Sequence, residues 1–350
     1  MREGWEYKKL GDLCDIYQPK TLATEQLVAD GKYYVYGANG IIGRYNDYNH
    51  EQSEILLTCR GATCGTINIS QPYSWINGNA MVIHRKSEDL SFDFLKYLML
   101  SLDYSLIITG AAQPQITRQK IAPIIVKFPS LSVQQSIVSE LDKINELIRL
   151  KKEQLKDYDK LAQSIFYEMF GDPVVNEKGW EVDYLSHLCN VFAGGDKPSD
   201  LSEMQSKDFP YPVIANGDGD KGILGYSKMC KIKEDAVTIG ARGASIGNCR
   251  LVRNGFTPAI RLITLVPQMK LDCNYLYYYV RNMNYRVNGV AQAQLTVPNV
   301  QRELIPIPPL PLQQLFAQRI ELIEKQKAEV QRTIADLETL LASRMQYWFD

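Results

Sequence analysis

The sequence consists of two related copies, and this duplication restricts the fold to two similar halves. Residues 4–14 and 179–189 are identical at six of eleven positions. Further matching segments keep the same order along the chain: 40–43 with 222–225, 60–65 with 242–247, 110–117 with 289–296, and 128–135 with 307–314. The spacing is far longer than the roughly 20 to 50 residues of a solenoid repeat. The chain is therefore predicted to contain tandem domains.

Each copy divides into a head and a long helix. Short runs rich in Tyr, Val and Ile at 33–36, 54–58 and 80–83, separated by Gly-rich turns, predict strands and hairpins. A helix is predicted at 92–106, with its counterpart at 274–286. The predicted fold class is α+β, with mixed α/β heads at 1–130 and 173–310, a central helix at 131–172 and a C-terminal helix at 311–350.

The two long helices carry an apolar repeat with alternating steps of four and three residues. A period of 3.5 is typical of a coiled coil, and two helices in one chain pair most simply as an antiparallel, pseudo-twofold rod. Two separate amphipathic helices, each lying on its own head, are the alternative. Ser132 and Gln135 have the spacing of a capping box. The predicted core positions are Ile137, Leu141, Ile144, Ile148, Lys151, Leu155, Tyr158, Ala162, Ile165 and Met169, and then Phe316, Ile320, Ile323, Lys327, Val330, Ile334, Leu337, Leu341, Arg344 and Trp348.

Composition limits the class of protein further. The 350 residues include 39 Lys and Arg against 40 Asp and Glu. The chain therefore lacks the strong basic excess that is typical of nucleic-acid-binding proteins. The first residues lack the order of a signal peptide, which predicts a cytoplasmic protein. Seven cysteines without a Cys-x-x-Cys pair, and three histidines, argue against a disulfide framework or a zinc site.

No catalytic motif is present in both copies. The sequence lacks a phosphate-binding loop and a His-Glu-x-x-His motif. Residues 208–211, Asp-Phe-Pro-Tyr, are faintly similar to the Asp-Pro-Pro-Tyr motif of adenine methyltransferases, but an ordinary strand entry explains them. A duplicated enzyme is therefore disfavoured against a binding protein.

The sharpest repeated cluster is Arg-Gly-Ala, at Arg60 and at Arg242. A glycine turn could bring each arginine to a phosphate or a guanine edge, or each arginine could pair within a tight hairpin. A second repeated cluster comprises glutamines that could bond adenine bidentately or cap loop carbonyls. These glutamines are Gln113, Gln115, Gln292 and Gln294.

Positions that differ between the copies are candidates for sequence readout, since two heads reading different bases should differ where they touch them. A solvated surface loop is the alternative for the lysines among them. The candidates are Lys20, Thr21, Arg44 and Tyr45 in the first copy, and Lys197, Ser199, Lys221 and Lys228 in the second.

Taken in order, the paired motifs resemble those of the specificity subunit of type I restriction-modification systems. The resemblance rests on Gly-Trp-Glu-x-x-x-Leu, Gly-Ile-(Ile/Leu)-Gly, Arg-Gly-Ala-(Thr/Ser)-x-Gly and Pro-x-Leu-x-x-Gln-Gln before a long helix, each present twice. It covers essentially the whole chain. It implies two target-recognition domains that each read half of a split double-stranded DNA sequence, with the coiled coil as spacer.

The resemblance also implies partners in place of catalysis. Such a chain has no cofactor of its own and recruits two methyltransferase subunits that use S-adenosylmethionine, with two restriction subunits that use ATP and Mg in the full complex. Aromatic residues near the helix ends are candidate anchors for a partner, or they pack on the chain's own heads. These residues are Phe166, Tyr167, Phe170, Tyr347, Trp348 and Phe349. A protein-binding scaffold is the rival interpretation.

The near-neutral charge fits this role once it is divided among the parts. The acidic excess lies on the two helices, and the heads are neutral to slightly basic. Partners can supply much of the phosphate neutralisation, so we expect the chain alone to bind DNA weakly and in a salt-sensitive manner.

Overall fold

The computed structural model describes residues 4–110, 113–217, 222–283 and 294–350. The chain forms two compact units. Unit 1 contains Met1–Lys151 and Thr333–Asp350, and unit 2 contains Lys152–Arg332. Each unit therefore contains one head and a part of each long helix.

Unit 1 is built on a four-stranded antiparallel sheet in the order β2-β8-β5-β6, beside a three-stranded sheet β4-β3-β7 and a two-stranded sheet β1-β9. One-turn 3₁₀ helices lie at Thr24–Gln26 and Tyr104–Leu106. The strands are β1 (Glu6–Lys9), β2 (Cys14–Tyr17), β3 (Tyr33–Gly37), β4 (Gly40–Tyr45), β5 (Ile55–Thr58), β6 (Ile67–Ile69), β7 (Trp75–Ile76), β8 (Ala80–Arg85) and β9 (Ile125–Phe128). The helices are α1 (Leu10–Leu13), α2 (Phe92–Ser101), α3 (Arg118–Ile121) and α4 (Leu131–Phe170), of which α4 continues into unit 2.

Unit 2 repeats this plan. Its sheets have the orders β11-β17-β14-β15, β13-β12-β16 and β10-β18. A 3₁₀ turn lies at Gly243–Ser245. The strands are β10 (Val182–Tyr184), β11 (Cys189–Ala193), β12 (Tyr211–Ile214), β13 (Ile223–Ser227), β14 (Ala236–Ile239), β15 (Cys249–Val252), β16 (Thr257–Pro258), β17 (Ile263–Pro267) and β18 (Leu304–Pro306). The helices are α5 (Leu185–Leu188), α6 (Cys273–Arg281), α7 (Val297–Gln301) and α8 (Leu310–Phe349), and α8 continues into unit 1. The α+β class and the tandem arrangement are confirmed.

The heptad positions form the buried faces of α4 and α8. None of the twenty predicted core positions is exposed. In unit 2 the Lys327 ammonium contacts Asp159 at 2.9 Å, and Arg319 contacts the Met169 sulfur at 3.9 Å. The residue number of the partner in α4 falls as the residue number in α8 rises, so the two helices pack antiparallel. Within unit 1, Arg344 pairs with Glu140, which also accepts a hydrogen bond from the Trp348 indole at 3.0 Å.

The cores of the units join sheet, short helix and long helices. In unit 1, Phe94 of α2 is fully buried with Ile137 and Leu141 of α4, and Phe349 of α8 packs on Phe94 with ring centroids 5.4 Å apart. The core of unit 2 is aromatic. Its ring contacts at 4.7–6.1 Å connect Phe166, Phe170, Tyr275, Tyr278 and Phe316.

Two local predictions are wrong. The predicted capping box of Ser132 and Gln135 does not form: α4 begins at Leu131, and it is the buried side chain of Gln134 that is hydrogen-bonded. The helix predicted to reach residue 106 ends at Ser101, because the backbone at Leu102 is extended. In both places a tertiary contact or turn overrides a helical pattern that continues in the sequence.

Candidate nucleic-acid interface

The Arg-Gly-Ala motif of unit 1 lies at one edge of the four-stranded sheet. Strands β2 and β5 end at this edge and β8 begins there, as their antiparallel registers require. Arg60 follows β5 and forms a β-bridge with Gln115, flanked by hydrogen bonds from Gly61 N to Pro114 O (3.0 Å) and from Ile116 N to Cys59 O (3.0 Å). Gly61 has φ of 90°, a left-handed conformation that favours glycine. We call this edge the arginine edge.

Unit 2 has the same arrangement at the corresponding edge. Arg242 follows β14 and forms a β-bridge with Gln294, and Leu295 N donates to Ala241 O at 2.9 Å. Gly243 also has positive φ, at 58°. In each unit the fold therefore joins two motifs that are 50 or more residues apart in the sequence.

The side chains at both arginine edges are available to a ligand. Arg60, Gln115, Arg242 and Gln294 are all exposed. Within the ranges that the structure describes, neither arginine has an acidic partner within 4.0 Å. A guanidinium pairs bidentately with the O6 and N7 atoms of guanine, and a primary amide pairs with the N6 and N7 atoms of adenine. Each edge thus offers both kinds of base-reading group side by side.

The backbone around each arginine is fixed by an amide side chain that sequence comparison missed. In unit 1, Gln18 donates to Gly78 O at 2.8 Å and to the Cys59 sulfur at 3.0 Å. In unit 2, Asn216 donates to Ile260 O at 2.7 Å and accepts from Ala241 N at 2.7 Å. Gln18 follows β2 whereas Asn216 follows β12, so no repeat alignment could have paired them.

These amides connect the turn that carries Arg60 or Arg242 to what we call the entry loop, which leads into β8 in unit 1 and into β17 in unit 2. The entry loop is 77–79 in unit 1 and 259–262 in unit 2. In unit 2, Arg261 of this loop joins Arg242 and Gln294 around a cavity of about 170 Å³. Arg261 was not predicted as a site residue, because its loop has no sequence motif in common with the other copy.

Two predicted residues of each unit lie near an arginine edge. Lys20 is exposed, and the Thr21 hydroxyl lies against Gly78 of the entry loop. Lys197 and Ser199 are exposed in the loop after Gly195, whose backbone bridges Ala259 of the other entry loop. Their roles in binding stay predictions.

Other predicted residues are engaged elsewhere or fall outside the described ranges. The Arg44 guanidinium donates to Tyr34 Oη (2.9 Å) and Gly31 O (3.2 Å), and Tyr45 packs edge-on against Trp75, so both brace the small sheet. Lys228 lies over the Phe209 ring at 5.2 Å. Gln113 is exposed in its loop. Lys221 and Gln292 lie outside the described residues.

The candidate partner anchors divide into buried and accessible residues. The structure corrects the prediction for Phe166 and Phe170, which are 0% and 3% exposed and belong to the core of unit 2. Trp348 stacks on Trp5 at 6.3 Å, and Phe349 packs on Phe94, so both are half-buried in unit 1. Tyr167 and Tyr347 keep exposed rings.

Other chemistry is sparse in the described ranges. All seven cysteines are free, and burial raises the pKa of the Cys14, Cys189 and Cys273 thiols to about 12. Across the described residues, no three His, Cys, Asp or Glu side chains group so that they could hold a metal ion. Among the described helices, none combines the length and the apolar character that crossing a membrane requires.

Two similar units, each presenting an arginine and a glutamine at a sheet edge, have the features of a protein that reads DNA sequence. Comparison with known families agrees. The model of the type I restriction modification DNA specificity domain matches residues 2–157 and again residues 177–339. The chain belongs to this family.

Individual relatives and solved structures are similar over most of their length. A protein of Mycoplasma pneumoniae named as a type I specificity subunit is 26% identical over 325 residues, which cover 89% of this chain and 87% of the relative. The type I restriction enzyme MjaIX specificity subunit of Methanocaldococcus jannaschii is 24% identical over 310 residues, covering 77% and 71%. The S subunit crystal structure from M. genitalium superposes with a TM-score of 0.60 at 15% identity, covering 99% of this chain and 96% of that one. A chain solved in work on complex assembly of the type I restriction-modification system gives 0.61 at 19% identity, covering 99% and 97%.

Proposed function

We propose that this chain is the DNA-recognition subunit of a type I restriction-modification complex, and that each unit reads one half of a bipartite, asymmetric target. The observation that carries the proposal is the arginine edge, which is formed twice from the same two motifs. Because Arg60 with Gln115 and Arg242 with Gln294 occupy equivalent places, both units bind DNA through the same edge. Differences around the two edges then select different half-sites.

The long helices act as the spacer between half-sites in this proposal. Their buried faces keep the heptad pattern along α4 and α8, and charged pairs such as Asp159 with Lys327 fix their register. A paired rod of fixed length would set the number of base pairs left unread. The gap in the target is then a property of the helices rather than of the heads.

Catalysis belongs to partner subunits in this proposal. We infer that the chain recruits two methyltransferase subunits, which bind S-adenosylmethionine and methylate adenine, and that restriction subunits using ATP and Mg complete the complex. The near-neutral charge of the chain supports a division of labour in which partners supply phosphate contacts. The complex would act on chromosomal DNA in a prokaryotic cytoplasm.

The test is to express the chain with its methyltransferase subunits in a host free of other adenine methylation, and to map methylated sites by single-molecule sequencing. We expect one bipartite motif. Arg60→Ala should relax bases in one half-site only, and Arg242→Ala should relax bases in the other. A good bidentate arginine contact contributes about 1–3 kcal/mol of discrimination, so preference at the affected base should fall about tenfold or more.

The two variants serve as controls for each other, because each leaves the other half-site intact. Methylation that depends on the chain but has no bipartite motif would contradict the proposal. Methylation by the purified chain alone would contradict its non-catalytic part.

A further inference from the structure

The entry loop of unit 2 carries an arginine that unit 1 does not have. We propose that Arg261, with Arg242 and Gln294, forms a pocket for the edge of a guanine base, so that unit 2 makes a guanine contact that unit 1 cannot make. This inference rests on the proposed function and assigns a specificity-determining residue to one half-site.

Arg261 is held at the arginine edge by a strained backbone. Ile260 and Arg261 have φ of 49° and 58°, a left-handed conformation that a β-branched residue such as isoleucine rarely adopts. Hydrogen bonds maintain it: Ile260 N donates to Gly195 O at 2.8 Å, and Arg261 N donates to Gly194 O at 3.0 Å. Non-glycine residues in such conformations cluster at ligand sites, where the surrounding structure over-determines them.

The same loop is connected directly to the turn that carries Arg242. The Asn216 amide donates to Ile260 O and accepts from Ala241 N, both at 2.7 Å. One side chain therefore fixes the backbone next to each arginine. The backbone segments that carry the two arginines are therefore held together before any ligand binds.

The pocket has the chemistry of a base edge rather than of a phosphate. Its volume of about 170 Å³ equals that of about five or six water molecules. Polar groups come from Arg242, Arg261 and Gln294, and no carboxylate belongs to its lining among the described residues. Apolar walls come from Ile263 and Leu295, which are buried. Apolar walls beside polar groups favour a heteroaromatic ring, whereas phosphate contacts need only exposed cations or backbone N–H groups.

Unit 1 has a different residue at the equivalent position. In the strand registers, Cys14 lies opposite Arg85 and Cys189 lies opposite Pro267, so Arg85 and Pro267 are equivalent positions. Counting back from them along β8 and β17 matches Asn79 to Arg261. Asparagine pairs bidentately with adenine and lacks the arginine fork that fits guanine. The two arginine edges therefore have different base preferences at this position.

The test uses Arg261→Asn, which copies unit 1 and suits the left-handed backbone, since asparagine tolerates that conformation better than most residues. The variant and its methyltransferase subunits are mapped by methylome sequencing beside the wild type and Arg261→Lys. Arg281→Ala is the matched control, because Arg281 is an exposed arginine of unit 2 that does not line the pocket.

We expect Arg261→Asn to lose a guanine preference of about tenfold or more at one position of the unit 2 half-site, and Arg261→Lys to lose part of it because lysine lacks the planar fork. The unit 1 half-site should be unchanged, and neither variant should lower the melting temperature. Arg281→Ala should keep the wild-type motif. An unchanged motif in Arg261→Asn, or equally weakened methylation at all sites, would overturn the guanine pocket and indicate no role or a phosphate contact. A wild-type complex without any bipartite motif would instead overturn the proposed function.

Discussion

Asn216 donates a hydrogen bond from its side-chain amide to the carbonyl oxygen of Ile260 at 2.7 Å, which ties the hairpin of one sheet to the entry loop of another within unit 2. Its amide oxygen accepts from Ala241 N at the same distance. We expect Asn216→Ala to lower the stability of unit 2 by about 1–2 kcal/mol, since two backbone groups lose their partners. The half-site read by unit 2 should also relax. Calorimetric unfolding and methylome mapping measure the two effects.

Gln18→Ala is the natural control for that experiment, because Gln18 fixes the equivalent turn and loop in unit 1. It should weaken the base preferences of the unit 1 half-site and leave those of the unit 2 half-site unchanged. If either variant relaxed both half-sites, the two amides would not be local positioning residues.

A second prediction concerns the buried amides at the start of the long helices. Gln134 accepts from Ser91 N at 2.8 Å and donates to Asp89 O and Pro129 O, both at 2.9 Å. Gln313 makes the same three contacts with Asp272 N, Lys270 O and Pro308 O. We expect Gln134→Leu to cost about 2–4 kcal/mol in urea unfolding, because buried groups are left unsatisfied. The neighbouring Gln135→Leu, at an exposed position, should change stability by no more than about 0.5 kcal/mol.

The Glu140–Arg344 pair predicts a pH dependence of stability in unit 1. The hydrogen bond from Arg344, and then that from Trp348, lower the pKa of the Glu140 carboxyl below its ordinary value. A lowered folded-state pKa gives stability that is present above the unfolded pKa of about 4.3 and is lost as pH falls through the folded value. Glu140→Gln should therefore lower the melting temperature at pH 7, and the difference from wild type should vanish in acid below both pKa values.

Glu146→Gln provides the comparison, since Glu146 pairs with Arg149 on the same helix and both are exposed. Its effect at pH 7 should be smaller than that of Glu140→Gln. An equal effect would mean that the contact between α4 and α8 adds nothing beyond ordinary surface charge pairing.

Relief of backbone strain is expected at Ile260. Glycine adopts a φ of 49° without a Cβ clash, so Ile260→Gly should raise the stability of unit 2 by about 0.5–1 kcal/mol after the entropic cost of glycine. Val182→Gly, at a β-branched and similarly exposed strand residue, should lower it. A stability loss in Ile260→Gly, measured by thermal unfolding, would show that the left-handed conformation is not strained.

The spacer role predicts the result of a paired heptad deletion. Residues 145–151 and 334–340 lie opposite each other in the antiparallel register set by Glu140 with Arg344. Removing both takes about 10.5 Å from the rod at about 1.5 Å per residue, or about three base pairs at 3.4 Å each. The methylated motif should keep both half-sites and shorten its gap by about three base pairs. Altered half-sites with an unchanged gap would contradict the spacer.

The duplication in the sequence predicts the fold well, because a repeated pattern of strands and heptads reports on local structure and on burial. Ile137, Leu141, Phe316 and Ile320 are buried as their spacing requires. The helix predicted to reach residue 106 ends earlier, because the apolar repeat continues in the sequence after the backbone becomes extended at Leu102. Leu106 is consequently 86% exposed.

The site was only partly predictable for a different physical reason. Arg60 and Gln115 were found as separate motifs, but their β-bridge joins residues 55 apart and leaves no local signal. Gln18 and Asn216 occupy positions that are not equivalent in the two copies, so searching for what the copies share excludes them. The position of Arg261 depends on a left-handed backbone at Ile260 and Arg261. Both residue types disfavour that conformation, so their sequence propensities do not predict it.

The composition of unit 1 has a consequence for synthesis on the ribosome. Leu341, Met345, Trp348 and Phe349 pack against its core, and they follow the whole of unit 2 in the sequence. The first head therefore remains unfinished until all of unit 2 has been translated, whereas unit 2 is made from one continuous segment. A message cut short before Thr333 would yield an intact second head joined to a first head with an open apolar face, and quality-control proteases would remove it before it could recruit partners to half of a target.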